Sequence, residues 1–163
     1  MVVRTIVIFI LTEVILEIKS IVFNHDLWQP VAEYANSCSW QPTGAYLANR
    51  MENNEFLDWE RVFDALENSA VIGFCALTKT TVAFGGAYTP DIGFVFVGES
   101  YRGNRVSEKL CMSAVKYAKS IGFDKIYLYS DHVNLYEKYG FTKIDEQDAP
   151  WGTKQSIFMY TIL

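Results

Sequence analysis

The segment that most constrains the fold runs from residue 92 to residue 130, where an apolar strand, a loop, a helix and a second strand follow one another. The run IGFVFV (92–97) is apolar on both faces, which is typical of a central, fully covered strand. Gly93 within it indicates a bulge. KIYLYS (125–130) is predicted to be the next strand, and a right-handed crossover should lay it parallel to 92–97.

The helix between these strands is the clearest element in the sequence. Its apolar residues recur at helical spacing, and Gly122 follows where a glycine commonly ends a helix. The apolar stripe comprises Val106, Leu110, Cys111, Ala114, Val115, Ala118 and Ile121. This stripe predicts a helix with one face against the sheet.

The rest of the chain predicts antiparallel elements around that parallel centre. Two helices are expected early, at 26–40 with Asp26 as N-cap and at 43–56. Two strands joined by the polar turn LENS indicate a hairpin, at 59–65 and 70–78. A loop (78–90), a short helix near 133–139 and two closing strands near 141–146 and 156–163 complete the order. The fold class is therefore mixed α/β (α+β).

The N-terminal run TIVIFILTEVILEIKSIVF (5–23) is apolar enough to suggest an anchor or an export signal. Glu13, Glu17 and Lys19 interrupt it before the roughly 20 residues that a membrane span needs. Leu16 and Ile18 alternate with Glu17 and Lys19, so a strand is favoured. Residues 1–13 are expected to be an extension that adds an edge strand or mediates self-association, for example as a homodimer.

Composition narrows the functional classes. A chain of 163 residues is expected to form a single domain, 1–163. The net charge of −5 argues against binding to nucleic acid or to an anionic membrane. Three widely spaced cysteines, without a CxxC pair or a Cys/His cluster, predict neither disulfides nor a metal site. Reduced thiols of this kind indicate a cytoplasmic protein.

The segment GESYRGNRVSEKL (98–110) carries the first sign of chemistry. It joins a strand to a helix, and a helix N-terminus presents unpaired N–H groups and a partial positive charge. A glycine and two arginines at this point suit a multiply charged anion such as a phosphate. A capped surface helix with two solvated arginines is the alternative.

A second segment, SDHVNLYEKYGF (130–141), follows the end of the parallel neighbouring strand. The carboxyl ends of parallel strands meet at one edge of a sheet, where ligands commonly bind. Tyr136 and the phosphate loop should therefore face a common cleft. Packing alone is the other explanation for this tyrosine.

These two segments resemble the GNAT superfamily of acetyl-coenzyme A dependent N-acetyltransferases. FVFVGESYRGNRVSEKL is similar to the strand, pyrophosphate loop and helix of that family, and LYEKYGF is similar to its later tyrosine motif. The resemblance extends over about residues 14–163 in element order. It implies a central mixed sheet of six to seven strands, parallel at the centre, flanked by about four helices.

The resemblance also implies roles for particular residues. Main-chain groups of Phe96 and Val97 would pair with the pantetheine arm of the coenzyme as an added strand. Tyr136 would donate a proton to the departing thiolate. The pyrophosphate would be held by the backbone amides of Arg102, Gly103, Asn104, Arg105, Val106 and Ser107.

Two departures from the family pattern stand out. The family usually has glycine where this chain has Arg105, so the approach to phosphate is relaxed or Arg105 contributes a side-chain contact. The link from KIYLYS to Tyr136 is also about one helical turn shorter than the common spacing. Both departures bear on whether the site catalyses or only binds.

The expected reaction is direct acetyl transfer from acetyl-coenzyme A, without a metal, to the primary amine of a small molecule. A strand N–H near Phe96 and Val97 would stabilise charge on the thioester oxygen. His132 is the first candidate for the base, followed by Asp91 and Glu99. A non-catalytic acyl-coenzyme A binding module and an acetyltransferase acting on a protein amine remain alternatives.

The acceptor pocket is expected between the two N-terminal helices and the 78–90 loop, as the resemblance implies. Four aromatic residues could line it: Trp28, Trp40, Tyr46 and Trp59. Four carboxylates could attract a cationic amine: Glu52, Glu55, Asp58 and Glu60. An aromatic core and a solvated acidic face are the favoured explanation of these two groups of residues.

Overall fold

A computed structural model of the protein describes residues 14–80 and 86–163. Three α-helices and seven strands make up the regular structure, with two short 3-10 turns at Glu99–Tyr101 and Tyr136–Tyr139. The helices are α1 (Trp28–Ser37), α2 (Thr43–Glu52) and α3 (Val106–Ser120). The strands are β1 (Leu16–Ile21), β2 (Arg61–Glu67), β3 (Ala70–Thr78), β4 (Asp91–Val97), β5 (Lys125–Ser130), β6 (Thr142–Asp148) and β7 (Lys154–Thr161).

The strands form one sheet in the order β1-β2-β3-β4-β5-β7-β6. Only β4 and β5 pair in parallel within the described sheet, and the helix α3 connects them. A connection through a helix is what a parallel pair requires, because a short turn can join only antiparallel neighbours. The predicted βαβ unit at the centre and the antiparallel strands outside it are thus confirmed.

The parallel pair is short and opens into a wedge. Asp91 lies opposite Tyr127 and Ile92 opposite Leu128, and no further β4–β5 register pair occurs among the described residues. Both strands nevertheless continue, to Val97 and to Ser130. The wedge therefore opens at the carboxyl ends of the two strands, which is where α3 begins and where Tyr136 follows β5.

A β-bulge in β4 accompanies this separation. Across β3, Phe74 faces Phe96 and Ala76 faces Gly93, so Cys75 alone spans the two residues Phe94 and Val95. Phe94 has a positive φ of 55°. A one-residue insertion exchanges the faces on which later side chains lie. Ile92 accordingly packs with α3, whereas Phe94 and Phe96 pack with α1 and α2.

Each face of the sheet has its own hydrophobic core. On the α3 face, the helix packs its stripe against β2, β3, β4 and β5, and Tyr136 and Phe141 join that cluster. On the other face, Val31 and Ala35 of α1 and Leu47 and Met51 of α2 are buried against the sheet. The sequence pattern predicted these helical faces because their apolar residues recur every three or four positions.

Several details differ from the sequence-based prediction. The helix α1 begins at Trp28 rather than near Asp26, and Asp26 makes no cap: Leu27 holds the N-cap position without a side-chain hydrogen bond. Ile121 is exposed, so it does not belong to the buried stripe expected of α3. The fourth expected helix is only the 3-10 turn Tyr136–Tyr139. Residues 1–13 and part of the 78–90 loop lie outside the described residues.

The three cysteines are free thiols. Cys75 and Cys111 are buried between the sheet and α3, and Cys38 is partly buried after α1. In the parts of the chain that the structure covers, no helix combines the length and apolarity that crossing a bilayer would demand.

Candidate active site

The wedge between β4 and β5 is the floor of a cleft with a volume of about 1210 Å³. The bulged end of β4 forms one wall, and residues after β5 form the other. The first turn of α3, the α1–α2 loop and the β6–β7 hairpin also line the cleft. The cleft therefore joins a helix N-terminus to an aromatic surface.

The N-terminus of α3 is open to the cleft. Its N-cap residue is Arg105, and within the described chain no side chain caps the helix. Lys109 makes the first intrahelical bond, to the carbonyl of Arg105. The preceding N–H groups therefore have no partner inside the helix, and such groups attract anions.

Two residues of the preceding loop have left-handed backbone conformations. Gly103 has a φ of 81° and Arg105 a φ of 58°. A Cβ atom at Gly103 would meet nothing within 4 Å. The positive φ of this position, rather than lack of space, therefore favours glycine there. This backbone conformation brings four residues of the loop and first helical turn into the cleft lining: Gly103, Arg105, Val106 and Ser107.

Asn104 is oriented differently from its neighbours. Its side-chain amide donates to the carbonyl of Tyr101 at 3.3 Å, and it is not among the residues that line the cleft. The N–H of Arg102 is also partly engaged, because it donates to the carbonyl of Glu99 at 3.3 Å. The structure thus places the free amides of this loop between Gly103 and Ser107.

The Arg102 side chain braces the end of β4. Its Nε donates to the carbonyl of Val97 at 2.9 Å, and its guanidinium lies 5.7 Å from the ring centre of Phe96. Glu99 accepts from the hydroxyl of Ser39 and pairs with Arg102 at 3.5 Å. The hydrogen bond from Ser39 lowers the pKa of Glu99. Glu99 is therefore an anchored carboxylate that joins the α1–α2 loop to this loop.

The main chain of β4 presents different groups to its two sides. The carbonyl of Phe96 points toward β3, where it would lie 2.6 Å from a Cβ atom on Gly73. The N–H of Gly98 also points that way and donates to Ile72 at 2.8 Å. Backbone groups alternate along a strand, so the N–H and carbonyl of Val97 face the wedge. Phe96 reaches the cleft through its ring.

Tyr136 lies in the wall of the cleft and is 4% exposed. Its ring packs edge-on against Tyr139 and Phe141 and also contacts Phe158. Burial raises the pKa of Tyr136, while an interaction with the hydroxyl of Ser130 opposes that rise. The phenol is therefore protonated at neutral pH, which is the form that can donate a proton.

Tyr139 connects the tyrosine segment to α3. Its hydroxyl lies 2.7 Å from the hydroxyl of Ser107 in the first turn of the helix. Burial raises the pKa of Tyr139, and the hydrogen bond with Ser107 works in the opposite direction. Tyr139 was not predicted as a site residue from the sequence, although it stands three positions after Tyr136 and belongs to the same turn.

The three candidate bases occupy different environments. His132 is exposed, lines the cleft and has its ring 6.4 Å from that of Tyr136. Asp91 is buried at the closed end of the wedge, where Thr78 donates to it at 3.4 Å. Glu99 is held by Ser39 and Arg102 as described above. Of the three, His132 alone is both exposed and next to Tyr136.

Arg105, which replaces the usual glycine, turns back along the helix. Its guanidinium forms an ion pair with Glu108, with a second contact of 2.8 Å between Nη2 and Oε1. This pairing raises the pKa of Arg105 and lowers that of Glu108. The Arg105 side chain is thus directed at its own helix, while its backbone keeps the left-handed conformation that glycine adopts readily.

The expected acceptor residues divide between core and cleft. Trp28 is buried and donates to the carbonyl of Met51 at 3.0 Å, and Trp59 packs on Phe123. Of the four aromatic residues considered, Trp40 is the one that lines the cleft. Tyr46 does not line the cleft, and its ring centre lies 5.9 Å from that of Phe94.

The acidic residues do not face the cleft. Glu60 is buried and accepts from the backbone N–H groups of Leu57 at 2.8 Å and Lys79 at 2.6 Å. Glu55 lines a separate depression, together with Arg50, and Glu52 and Asp58 are exposed elsewhere. These carboxylates therefore form a structural anchor and a solvated face, as the favoured explanation held.

Nine of the ten predicted site residues line one cleft, and Asn104 is the exception. Other residues that were not predicted from the sequence also line it, including Ser39, Thr43, Asp131, Tyr139, Trp151 and Gln155. They come from loops far apart in sequence, which no short motif identifies. Among residues 14–80 and 86–163, no group of histidine, cysteine or carboxylate side chains is arranged to hold a metal ion.

The family model of the acetyltransferase (GNAT) family matches residues 24–141. The chain has no match among curated proteins. It resembles an aminoglycoside 6'-N-acetyltransferase solved with coenzyme A, at 16% identity over 90% of this chain and 97% of that one, with a TM-score of 0.67. It also resembles YncA from Salmonella typhimurium, solved with acetyl-CoA, at 15% identity over 91% of this chain and 94% of that one, with a TM-score of 0.65.

A GNAT acetyltransferase from Staphylococcus aureus is similar as well, at 18% identity over 90% of this chain and 100% of that one, with a TM-score of 0.61. At such low identities these structures establish the fold. The family model, by contrast, matches the sequence over well more than half of its length. The chain therefore belongs to the GNAT family of acetyltransferases and is an acyltransferase.

Proposed function

We propose that the protein transfers an acetyl group from acetyl-coenzyme A directly to the primary amine of a small molecule. The observation that carries this proposal is the wedge between β4 and β5, which opens onto the uncapped N-terminus of α3 with Tyr136 in its wall. Its volume of about 1210 Å³ exceeds the roughly 300–1,000 Å³ of most small-molecule sites, which suits a site for two substrates. Related structures solved with coenzyme A or acetyl-CoA support the choice of donor.

The residues present suit two parts of acetyl-coenzyme A, the anionic pyrophosphate and the amide-bearing pantetheine arm. Free N–H groups between Gly103 and Ser107 would hold the pyrophosphate at the helix N-terminus. The N–H of Val97 faces the wedge and would pair with the pantetheine arm as a neighbouring strand does. Acetyl-coenzyme A, when bound, supplies the acetyl group as an activated thioester.

The protein's own groups would then do three things. The Val97 region would donate a hydrogen bond to the thioester oxygen as charge develops there. Tyr136 would deliver its proton to the departing sulfur, and its burial and raised pKa keep the hydroxyl protonated until that step. His132, exposed at the cleft wall, would accept the proton of the incoming amine directly or through water. Holding both substrates in one cleft contributes by orientation.

A coenzyme-binding module without catalysis is the second candidate, and Arg105 is the observation that favours it. A side chain in place of glycine, paired with Glu108, changes the approach to the phosphate site. Acetylation of a protein amine is a third candidate, and an acetylated peptide product would identify it.

Two assays separate these functions. Acetyl-coenzyme A at a hundred times its dissociation constant should stabilise the fold by about 2.7 kcal/mol, measured as a thermal shift. Release of the coenzyme thiol should then depend on an added small amine. Stabilisation without amine-dependent release from a broad amine panel would support the binding module, and the absence of both would contradict the whole proposal.

A further inference from the structure

The acceptor end of the cleft lies on the sheet face opposite α3. Along β5, Ile126 and Leu128 pack in the α3 core, so the alternating residues Tyr127 and Tyr129 face the other way. The bulge turns Phe94 and Phe96 to that same face. An amine that meets a thioester held from the α3 side therefore approaches over an aromatic surface.

Trp40 is the most prominent part of this surface. Its indole stacks on Phe96 with 6.3 Å between ring centres and 12° between planes, and Phe96 stacks in turn on Phe74 at 5.4 Å. Trp40 is nevertheless 39% exposed and lines the cleft. A rigid, partly exposed indole backed by two further rings is suited to hold a flat aromatic group.

Charge in the cleft sets a second limit on the acceptor. Only two carboxylates line the cleft in the described part of the chain, Glu99 and Asp131, and Glu99 is committed to Ser39 and Arg102. Asp131 is exposed. Arg102 and Arg105 also line the cleft, but their charges are balanced locally by Glu99 and Glu108, and Lys138 is a further cation in the lining. The described lining thus offers one carboxylate besides the anchored Glu99, which can pair with one ammonium group and not with several.

We infer that the acceptor is a primary monoamine carrying a flat aromatic ring, which stacks on Trp40 while its amino group reaches the wedge. This inference rests on the proposed acetyltransferase function and adds the substrate class. It departs from the polyamines and aminoglycosides that an acidic pocket would select.

The test is a thiol-release assay with matched amines. We expect kcat/KM for 2-phenylethylamine to exceed that for 2-cyclohexylethylamine about three- to tenfold, since the two differ in aromaticity and not in carbon count. We expect spermidine and kanamycin to be poorer still. A polycation that matches or exceeds 2-phenylethylamine would overturn the inference and leave the acetyltransferase function intact.

Variants of Trp40 locate the effect. Trp40→Ala should lower kcat/KM for 2-phenylethylamine to near the value for 2-cyclohexylethylamine, and Trp40→Phe should restore most of it. Tyr46→Ala is the matched control, because Tyr46 is an exposed aromatic residue that does not line the cleft. An equal loss of kcat/KM for all amines would show that Trp40 only supports the fold. Weaker stabilisation of Trp40→Phe by acetyl-coenzyme A would show that Trp40 contacts the donor. Either result would overturn the inference.

One result would count against both levels of the proposal. If acetyl-coenzyme A stabilises the protein but no amine in the panel causes thiol release, the acetyltransferase function fails and the aromatic acceptor fails with it. If several classes of amine are acetylated without regard to the ring, only the acceptor class fails.

Discussion

Single residues carry the proposed chemistry, and Tyr136 is the most direct to examine. Replacing Tyr136 with phenylalanine removes the hydroxyl and keeps the ring contacts with Tyr139 and Phe158. We expect kcat to fall by about a hundredfold, since general acid catalysis contributes at least that factor, with little change in acetyl-coenzyme A binding. Steady-state thiol release measures the first quantity and titration calorimetry the second.

The control for that variant is Tyr117→Phe. The Tyr117 hydroxyl donates to the carbonyl of Trp59 at 2.9 Å, away from the cleft, so its loss should leave kcat unchanged. An unchanged rate in Tyr136→Phe at saturating acetyl-coenzyme A would exclude Tyr136 as the acid. Tyr139, bonded to Ser107 in the same wall, would then be the next residue to replace.

Asp64 is a buried carboxylate that the proposed reaction does not use. It is 0% exposed, and among the described residues neither of its carboxylate oxygens has a hydrogen-bond partner. Burial raises its pKa to about 6, although His25 and Lys19 oppose that rise. A pKa raised by folding stabilises the folded state only while the group is protonated, so this contribution disappears as pH rises from about 4 to about 6.

Asp64→Asn should therefore unfold less readily than the parent above pH 6. The difference in the free energy of unfolding between variant and parent should grow from near zero at pH 4 to at most about 3 kcal/mol at pH 7. This limit follows because folding raises the pKa of Asp64 from about 4 to about 6. Urea unfolding at several pH values measures it. Asp26→Asn, on the exposed surface, is the control. A difference that stays constant with pH would contradict this account of Asp64.

Arg105 tests the departure from the family's glycine. Its φ of 58° is a left-handed conformation that costs a side-chain-bearing residue about 1 kcal/mol. The exposed ion pair with Glu108 contributes less than that. Arg105→Gly should therefore raise the free energy of unfolding by about 0.5–1 kcal/mol and tighten acetyl-coenzyme A binding. Glu108→Gln keeps the backbone and removes the pair, so destabilisation in Arg105→Gly beyond that control would contradict the prediction.

At the scale of elements, the bulge in β4 explains why the wedge exists. Gly93 drew attention to this strand, but the bulge falls on Phe94 and Val95 instead. An apolar run such as IGFVFV has no alternation to break, so its pattern cannot locate the residue that takes a positive φ. The helix α3, with its regular stripe, was predictable almost to the residue for the opposite reason.

The close contact between β3 and β4 offers a test at this scale. A Cβ atom on Gly73 would lie 2.6 Å from the carbonyl oxygen of Phe96, which is backbone and cannot swing aside. Gly73→Ala should push β4 toward the wedge, lower the free energy of unfolding by about 1–3 kcal/mol and weaken acetyl-coenzyme A binding. Chemical denaturation and a binding titration measure the two effects.

Gly122→Ala is the comparison for that variant. It also disturbs a glycine, at φ 96°, but a Cβ atom there would meet nothing within 4 Å, and the residue lies at the far end of α3. It should cost stability without altering coenzyme binding. Equal effects of both variants on binding would show that β4 is not specifically affected.

For the whole molecule, the sequence was informative where chemistry depends on local spacing. The strand–loop–helix segment and the LYEKYGF motif predict the coenzyme end of the cleft, because anion-binding loops are contiguous in sequence. The proposed acceptor side of the cleft is lined by Trp40, Asp131 and Trp151, which three separate loops contribute. Only the sheet order brings those loops together, so no local pattern could predict the set.

The acidic residues illustrate the same limit. Glu60 follows three acidic neighbours in sequence and could have lined an acceptor site, yet it accepts from the backbone N–H groups of Leu57, just before β2, and Lys79, just after β3. Composition alone does not distinguish a buried anchor from a binding group. That residues 1–163 form one domain, with 1–13 as an extension, stays a prediction.

A crystal structure of the protein with coenzyme A tests the central claim most directly. The account predicts the diphosphate on the backbone amides between Gly103 and Ser107, the pantetheine arm beside Val97, and the sulfur within hydrogen-bond reach of the Tyr136 hydroxyl. A diphosphate bound elsewhere, or a pantetheine arm that does not enter the wedge between β4 and β5, would contradict it.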